Sequence, residues 1–177
     1  MDKEDTKFAI GEALLSLMKE KPYQKIEAME IAKAAFVSRP TFYRYYEGAN
    51  PKASILLYYL EHEFSTFKTI LAKKRNVSFK TTLLSFLSFV EAHADIFTKV
   101  DDATLSSLLF TLAKNHYLTP NIRFKDDSAY RFYLEHGLYV YAICAFQWVK
   151  EGMHMSKADL IKHFFTSAMG FFNVVSD

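Results

Sequence analysis

The sequence predicts an all-α protein. Only five glycines and four prolines occur among 177 residues, too few for the frequent turns of an all-β chain. Half of the residues are apolar, and they recur at the three- and four-residue spacing of helices. The same apolar fraction supports a sizeable core and argues against disorder.

Local signals place the first four helices. The first helix stops before Pro22, because the residue that precedes a proline disfavours helical backbone. Ser38 is an N-cap residue, and Pro40 falls in the first turn of the third helix, where its missing N–H costs no hydrogen bond. Asn50 and Pro51 begin the fourth helix in the same way. These helices are predicted over residues 6–18, 27–34, 39–45 and 51–74.

Five further helices follow. The clearest break is Thr119-Pro120-Asn121, and a second break runs from Gly152 to Met155. Ser156 then serves as an N-cap with Asp159 three residues on, which is a weaker form of the capping box. These helices are predicted over residues 79–93, 94–99, 103–118, 126–151 and 157–174.

Composition argues against several classes of protein. The one cysteine, Cys144, allows no intramolecular disulfide and fits a reducing cytoplasm. The charged N-terminus lacks the apolar run of a signal peptide. The sequence also contains no uninterrupted run of about 18 apolar residues, the length that a membrane-spanning helix needs. The six histidines follow no metal-binding spacing, and no nucleophile–base signature is present. We therefore expect a cytoplasmic protein with no metal, no cofactor and no catalytic site.

The most informative segment is residues 31–46, which has the pattern of two short helices joined by a tight turn. The second helix carries hydroxyls, phenols and arginines where a core helix would carry aliphatic residues, while Phe42 is expected to face inward. Arginine pairs with guanine, threonine touches thymine methyl groups, and tyrosine hydroxyls suit phosphate oxygens. Double-stranded DNA is therefore the expected partner of Ser38, Arg39, Pro40, Thr41, Tyr43, Arg44, Tyr45 and Lys52.

Charge gives modest support to this interpretation. The net charge is +2, and residues 1–75 hold 13 Lys and Arg against 10 Asp and Glu, whereas residues 76–177 hold 9 against 10. The positive excess therefore falls in the segment that contains the two-helix motif. Ordinary solvated lysines are the alternative explanation of the same excess.

The last two predicted helices are apolar over more than half of their circumference. Such a helix must be covered on two sides, and we expect its own core on one side and a second copy of the chain on the other. A monomer with an unusually thick core is the alternative. A two-fold homodimer would use Tyr130, Leu134, Gly137, Tyr141, Trp148, Phe164, Ala168 and Phe171.

Residues 6–60 resemble the N-terminal domain of TetR/AcrR-type transcriptional regulators. The resemblance is carried by Ile31-Ala32 and by residues 37–46, Val-Ser-Arg-Pro-Thr-Phe-Tyr-Arg-Tyr-Tyr. Weaker support comes from the junction of the last two helices, at Trp148, Glu151-Gly152-Met153, Ser156 and Leu160.

The resemblance implies a helical homodimer with a helix-turn-helix domain over residues 1–50 and a ligand-binding and dimerisation domain over residues 51–177. It further implies a repressor of transcription, bound to a palindromic operator. A small hydrophobic or aromatic inducer would release it by moving the DNA-reading domains apart through the helix at 51–74. Aromatic residues at helical spacing are either plain core or the lining of the inducer pocket, for which the candidates are Phe86, Phe89, Phe110 and Tyr141.

Three features depart from the family pattern. Phe36 stands in the turn where glycine is usual, and a bulky residue there is strained if φ is positive. Glu27 stands where a threonine usually caps the second helix, and residues 47–52 form a longer connection than usual. The alternative function is therefore a TetR-like helical dimer that does not bind DNA and acts as a coactivator or ligand-binding partner.

Overall fold

The computed structural model describes residues 3–48, 50–72, 79–117 and 128–174, and these residues contain helices and no strand. The prediction of an all-α fold is confirmed. A short 3-10 turn at Tyr23–Lys25 lies between the first two helices. The α-helices are α1 Lys3–Glu20, α2 Ala28–Ala34, α3 Arg39–Tyr45, α4 Pro51–Ala72, α5 Phe79–Ala92, α6 Ala94–Phe97, α7 Asp102–Tyr117, α8 Ser128–Lys150 and α9 Lys157–Val174.

The predicted helix bounds agree best where a cap is encoded locally. The bounds of α3 and α9 agree with the prediction, and α2 begins one residue later than expected, after Glu27 as its N-cap. Helix α1 is longer than predicted at both ends. The predicted break at Thr119-Pro120-Asn121 lies outside the described residues.

The chain divides into two compact units. The first comprises Met1–Lys73 with Asp95–Thr104, and the second comprises Lys74–Ala94 with Leu105–Asp177. The long helix α4 packs on α1 and so belongs with the first unit. The predicted division of the chain into one domain over residues 1–50 and another over residues 51–177 stays a prediction.

The core of the first unit forms where α1, α2, α3 and α4 bring their apolar faces together. Gly11 allows α1 to approach α4 closely, because a Cβ at this position would lie 2.9 Å from Cδ2 of Tyr59. From the segment 95–104, Lys99 donates to the carbonyl oxygen of Met18 at 3.1 Å, near the end of α1. The fully buried residues include Ile10, Leu14, Ile31, Phe42, Ile55, Leu56 and Leu60.

The core of the second unit is centred on Tyr141 of α8. Its ring is fully buried, and its hydroxyl donates to the carbonyl oxygen of Leu83 at 2.6 Å. The rings of Phe86 and Phe164 lie 5.7 and 5.4 Å from it, which joins α5, α8 and α9. No helix among the described residues is long and apolar enough to cross a membrane.

Candidate nucleic-acid interface

Helix α3 is fixed at its start by the N-cap that the sequence predicts. The side-chain oxygen of Ser38 accepts a hydrogen bond from the backbone N–H of Thr41 at 3.3 Å, and the hydroxyls of the two residues lie 2.9 Å apart. Pro40 follows within the first turn. This arrangement satisfies one of the backbone donors that every helix leaves open at its N-terminus.

The inner side of α3 is anchored by two aromatic rings. Phe42 is fully buried, as predicted, and its ring centroid lies 6.1 Å from that of Tyr46. The hydroxyl of Tyr46 donates to the carbonyl oxygen of Lys7 at 3.2 Å, and burial raises the pKa of Tyr46 well above its usual value. Because Tyr46 is tied to α1, helix α3 is held firmly on this side.

The outer side of α3 presents the chemistry that the sequence predicts. Arg39, Tyr43 and Arg44 are exposed, and the guanidinium carbon of Arg39 lies 5.7 Å from the centroid of the Tyr43 ring. Ser38 and Pro40 are also exposed, while Thr41 and Tyr45 are half-buried. The structure thus brings seven of the predicted DNA contacts together on or beside α3.

Every charged residue of the segment 31–46, which contains α3, is positive. Residues 31–46 hold Lys33, Arg39 and Arg44 and contain no aspartate or glutamate. All three cations are exposed. A braced helix with this charge and with donor side chains on its open face suits a polyanion with hydrogen-bonding groups.

Lys52, the eighth predicted contact, is engaged within the chain. Its ammonium donates to the carbonyl oxygens of Tyr23 at 2.8 Å and Gln24 at 3.4 Å, and it lies 4.5 Å from the centroid of the Tyr23 ring. Partial burial lowers the pKa of Lys52, and attraction to Asp101 opposes this shift. Lys52 therefore braces the turn before α2, and only its third hydrogen is left for a phosphate.

The start of α2 shows how the chain replaces the usual threonine. The backbone N–H of Glu27 donates to Oε2 of Glu30 at 2.8 Å, and Lys21 forms an ion pair with the same carboxylate. These contacts, chiefly the hydrogen bond from Lys21, lower the pKa of Glu30. Sequence reasoning identified Glu27 but missed Glu30, although a glutamate three residues after an N-cap is the signal of a capping box.

Phe36 occupies the turn between α2 and α3 with a left-handed backbone. Its φ is 54°, and its side chain is 98% exposed. The N–H of Phe36 donates to the carbonyl of Lys33 at 3.1 Å, and that of Val37 donates to Ala32 at 3.0 Å. This pair of bonds is the Schellman motif, which requires a left-handed residue at the position of Phe36.

Several residues predicted for the dimer interface lie inside their own unit. Tyr141, Trp148 and Phe164 are buried, and the indole N–H of Trp148 donates to the carbonyl oxygen of Met155 at 2.8 Å. They offer little exposed surface in the single chain, and their place in a dimer interface stays a prediction. Gly137 is half-buried, and Tyr130, Leu134, Ala168 and Phe171 lie where side chains are outside the described residues.

Other apolar residues of α8 and α9 are exposed instead. Ile143 is 60% exposed and Tyr139 is 56% exposed, and these two residues lie one helical turn apart on α8. Val140 on α8 and Phe165 on α9 are also exposed. Sequence reasoning missed them because α8 is apolar all round, so its periodicity does not distinguish the core side from the open side.

The predicted pocket residues are placed in the second unit and are mostly packed. Phe86 and Phe89 are fully buried, like Tyr141. The ring of Phe89 lies 4.2 Å from that of His93. Phe110 is half-buried, with its ring 4.2 Å from the ring of exposed Tyr139. The structure joins Phe86 to Tyr141 and places Phe110 nearer the surface.

The all-helical fold, with α2 and α3 joined by a tight turn and the outer side of α3 exposed, is typical of proteins with a helix-turn-helix motif. Solved structures with this fold include a TetR-family transcriptional regulator from Streptomyces coelicolor, which is 19% identical with a TM-score of 0.56 over 98% of this chain and 83% of that one. A TetR transcriptional regulator from Streptococcus agalactiae 2603V is 26% identical, with a TM-score of 0.58 over 93% of both chains.

A third similar structure is the dihydroxyacetone kinase operon activator DhaS, which is 16% identical with a TM-score of 0.53 over 96% of this chain and 97% of that one. No sequence profile of a known family and no curated protein sequence matches the chain. The chain has the fold of the TetR-family transcriptional regulators, and the resemblance predicted from residues 6–60 is confirmed.

Proposed function

We propose that this protein is a cytoplasmic, dimeric, DNA-binding transcriptional regulator without enzymatic activity. The observation that carries the proposal is the state of α3: it is capped by Ser38, anchored by buried Phe42, and open along the side that holds Arg39, Tyr43 and Arg44. A rigid helix with cationic and hydrogen-bonding side chains fits the major groove of duplex DNA.

A homodimer is part of the proposal, and its support comes from the second unit. Tyr139, Val140 and Ile143 expose apolar side chains on α8, and Phe165 does so on α9. Covering these side chains with a second copy would remove apolar area from water. The two copies of α3 would then read the two halves of a palindromic operator.

Repression and release by a small apolar or aromatic effector complete the proposal. Support for repression is the family resemblance alone, while one similar structure is named an activator. Support for an aromatic effector is the aromatic content of the second unit, where the rings of Phe86 and Tyr141 lie 5.7 Å apart and the ring of Phe110 lies 4.2 Å from that of Tyr139. Because Phe86 and Tyr141 are packed, an effector would have to displace at least one of their rings. Loss of operator binding on addition of an aromatic compound would support release.

DNA binding is tested by incubating the full chain with a pool of random-sequence DNA duplexes and recovering those that it retains. The recovered duplex is then titrated with the protein at several salt concentrations. The proposal predicts a two-fold related site, whose affinity falls steeply with salt because phosphate contacts release counterions. Retention of no duplex at low salt, with the chain still dimeric, would contradict it and favour the coactivator or ligand-binding alternative.

A further inference from the structure

Phe36 combines two unfavourable features at one position. Its φ of 54° is strained for any residue with a Cβ and costs glycine nothing. Its ring is 98% exposed and so gains almost nothing from packing within the chain. A residue that is strained and also left in water is a candidate for a functional role.

The chain itself shows the ordinary solution to the same backbone problem. Helix α8 ends in a second Schellman motif, in which the N–H of Met153 donates to Trp148 at 2.8 Å and that of Gly152 donates to Val149 at 3.0 Å. Glycine takes the left-handed position there, with a φ of 76°. The backbone of the α2 turn therefore does not explain a phenylalanine at the equivalent position.

The surroundings of Phe36 indicate the kind of surface that covers it. Lys33 and Arg39 lie three residues before and after it, and both are exposed. Phe36 is two residues from Ser38, the N-cap of α3, and so lies next to the proposed DNA-binding helix along the chain. An apolar ring between cations suits a polyanion that also displays apolar groups. The base edges of the major groove display such a group, the C5 methyl of thymine.

We infer that Phe36 is a specificity-determining residue that contacts a thymine methyl group at the edge of each operator half-site. The inference rests on the proposed DNA binding and goes beyond it, because it names a base and a chemical group. The strain at Phe36 is then explained, since the hydrogen-bonded backbone of the turn fixes the residue just before the DNA-reading helix. Glycine at this position would relieve the strain and remove the contact.

The test compares wild-type protein with Phe36→Gly on the selected duplex and on copies in which single thymines are replaced by deoxyuridine, which lacks the C5 methyl. For wild-type protein, one deoxyuridine position per half-site should lower affinity by about fourfold, and substitution in both half-sites by about 16-fold, as expected for burial of one methyl group. Phe36→Gly should bind the thymine duplex about 16-fold more weakly or worse, because both half-sites lose the contact, and deoxyuridine should weaken it no further.

Stability supplies a readout of the strain. Phe36→Gly should raise the melting temperature by roughly 2 °C, because it relieves a left-handed residue. Met153→Gly is the matched control, since Met153 has a φ of 58° in the turn after α8. That variant should change stability while leaving affinity for the duplex unaltered.

The outcomes separate this inference from the proposed function. If wild-type protein binds the duplex, Arg39→Ala weakens binding, and Phe36→Gly binds as wild-type does, the role of Phe36 is refuted while DNA binding stands. Weak binding by Phe36→Gly with no effect of deoxyuridine on wild-type protein would likewise refute thymine recognition and favour contact with another part of DNA. Binding of no duplex by wild-type protein would overturn the proposed function itself.

Discussion

The pairs α2–α3 and α8–α9 are built in the same way and end in different chemistry. In each pair the first helix ends in a Schellman motif, and the second begins at a serine N-cap, Ser38 or Ser156. The left-handed position is Phe36 in the first pair and Gly152 in the second.

The exposed sides of the two pairs differ as well. Helix α3 exposes Arg39 and Arg44, which favour a polyanion, whereas α8 exposes Tyr139 and Ile143, which favour another apolar surface. In both pairs the turn and the cap fix where the second helix begins, whereas the exposed side chains determine which partner is bound. Substitutions on the open sides should therefore change binding, while substitutions at the caps should change stability first.

The largest effect is expected from Ile143→Glu on the apolar side of α8. A two-fold axis would place the new carboxylate in the interface twice, and burying an unpaired charge costs several kcal/mol. The dissociation constant of the dimer should rise by at least about 100-fold, measured by sedimentation equilibrium. Lys114→Glu, which adds negative charge at an exposed position of α7, is the control and should leave the dimer intact. Equal dimerisation of both variants would place the interface elsewhere.

A smaller effect is expected from Arg39→Ala on the polar side of α3. Loss of a bidentate contact to guanine should weaken operator binding by about 10- to 100-fold, on the order of 1–3 kcal/mol. Fluorescence anisotropy with a labelled duplex measures this change, and sedimentation should find the dimer unchanged. Lys114→Ala removes one exposed positive charge from α7 and should have little effect. If the two variants bind equally well, α3 does not read bases.

Substitutions at the two serine N-caps should separate an effect on stability from an effect on DNA binding. Ser38→Ala and Ser156→Ala each remove a hydrogen bond to a backbone N–H, from Thr41 and Asp159 respectively. Each should cost about 1 kcal/mol, or about 2–4 °C in melting temperature. Only Ser38→Ala should also weaken operator binding, because it loosens the start of α3. A loss of affinity in Ser156→Ala of the same size would contradict this division.

The smallest effect is expected at Glu30. Its lowered pKa means that the charged carboxylate, paired with Lys21, stabilises the folded chain. This contribution is present above the pKa of the unfolded carboxyl group and is lost as the pH falls through the lower, folded value. Glu30→Gln should therefore melt slightly below wild-type protein at pH 7, and the difference should shrink in acid below about pH 4. Glu20→Gln, which replaces an exposed glutamate on α1, is the control. A difference that grows in acid would contradict the ion pair.

The sequence was sufficient to predict the helices that carry their own boundaries. Ser38 with Pro40 and Ser156 with Asp159 are local signals, so α3 and α9 could be placed to the residue. The inward position of Phe42 followed from helical spacing within the same short segment. These local features also identify most of the candidate DNA-binding residues.

Long-range packing could not be predicted. Lys52 looked free for a phosphate because its acceptors, the carbonyls of Tyr23 and Gln24, lie 29 and 28 residues away. The inclusion of Asp95–Thr104 in the first unit likewise has no local signal. On α8 the apolar pattern is continuous, so the sequence could not show that Tyr141 is fully buried while Ile143 is exposed.

Entry of α3 into the major groove can be tested by protection of guanine N7 in the bound duplex, because dimethyl sulfate methylates this atom from the major groove. With the duplex recovered by selection, we expect protected guanines in two half-sites about 34–36 Å apart, or at a multiple of that spacing, and loss of this protection with Arg39→Ala. Tight binding with every guanine N7 still reactive would contradict entry of α3 into the major groove.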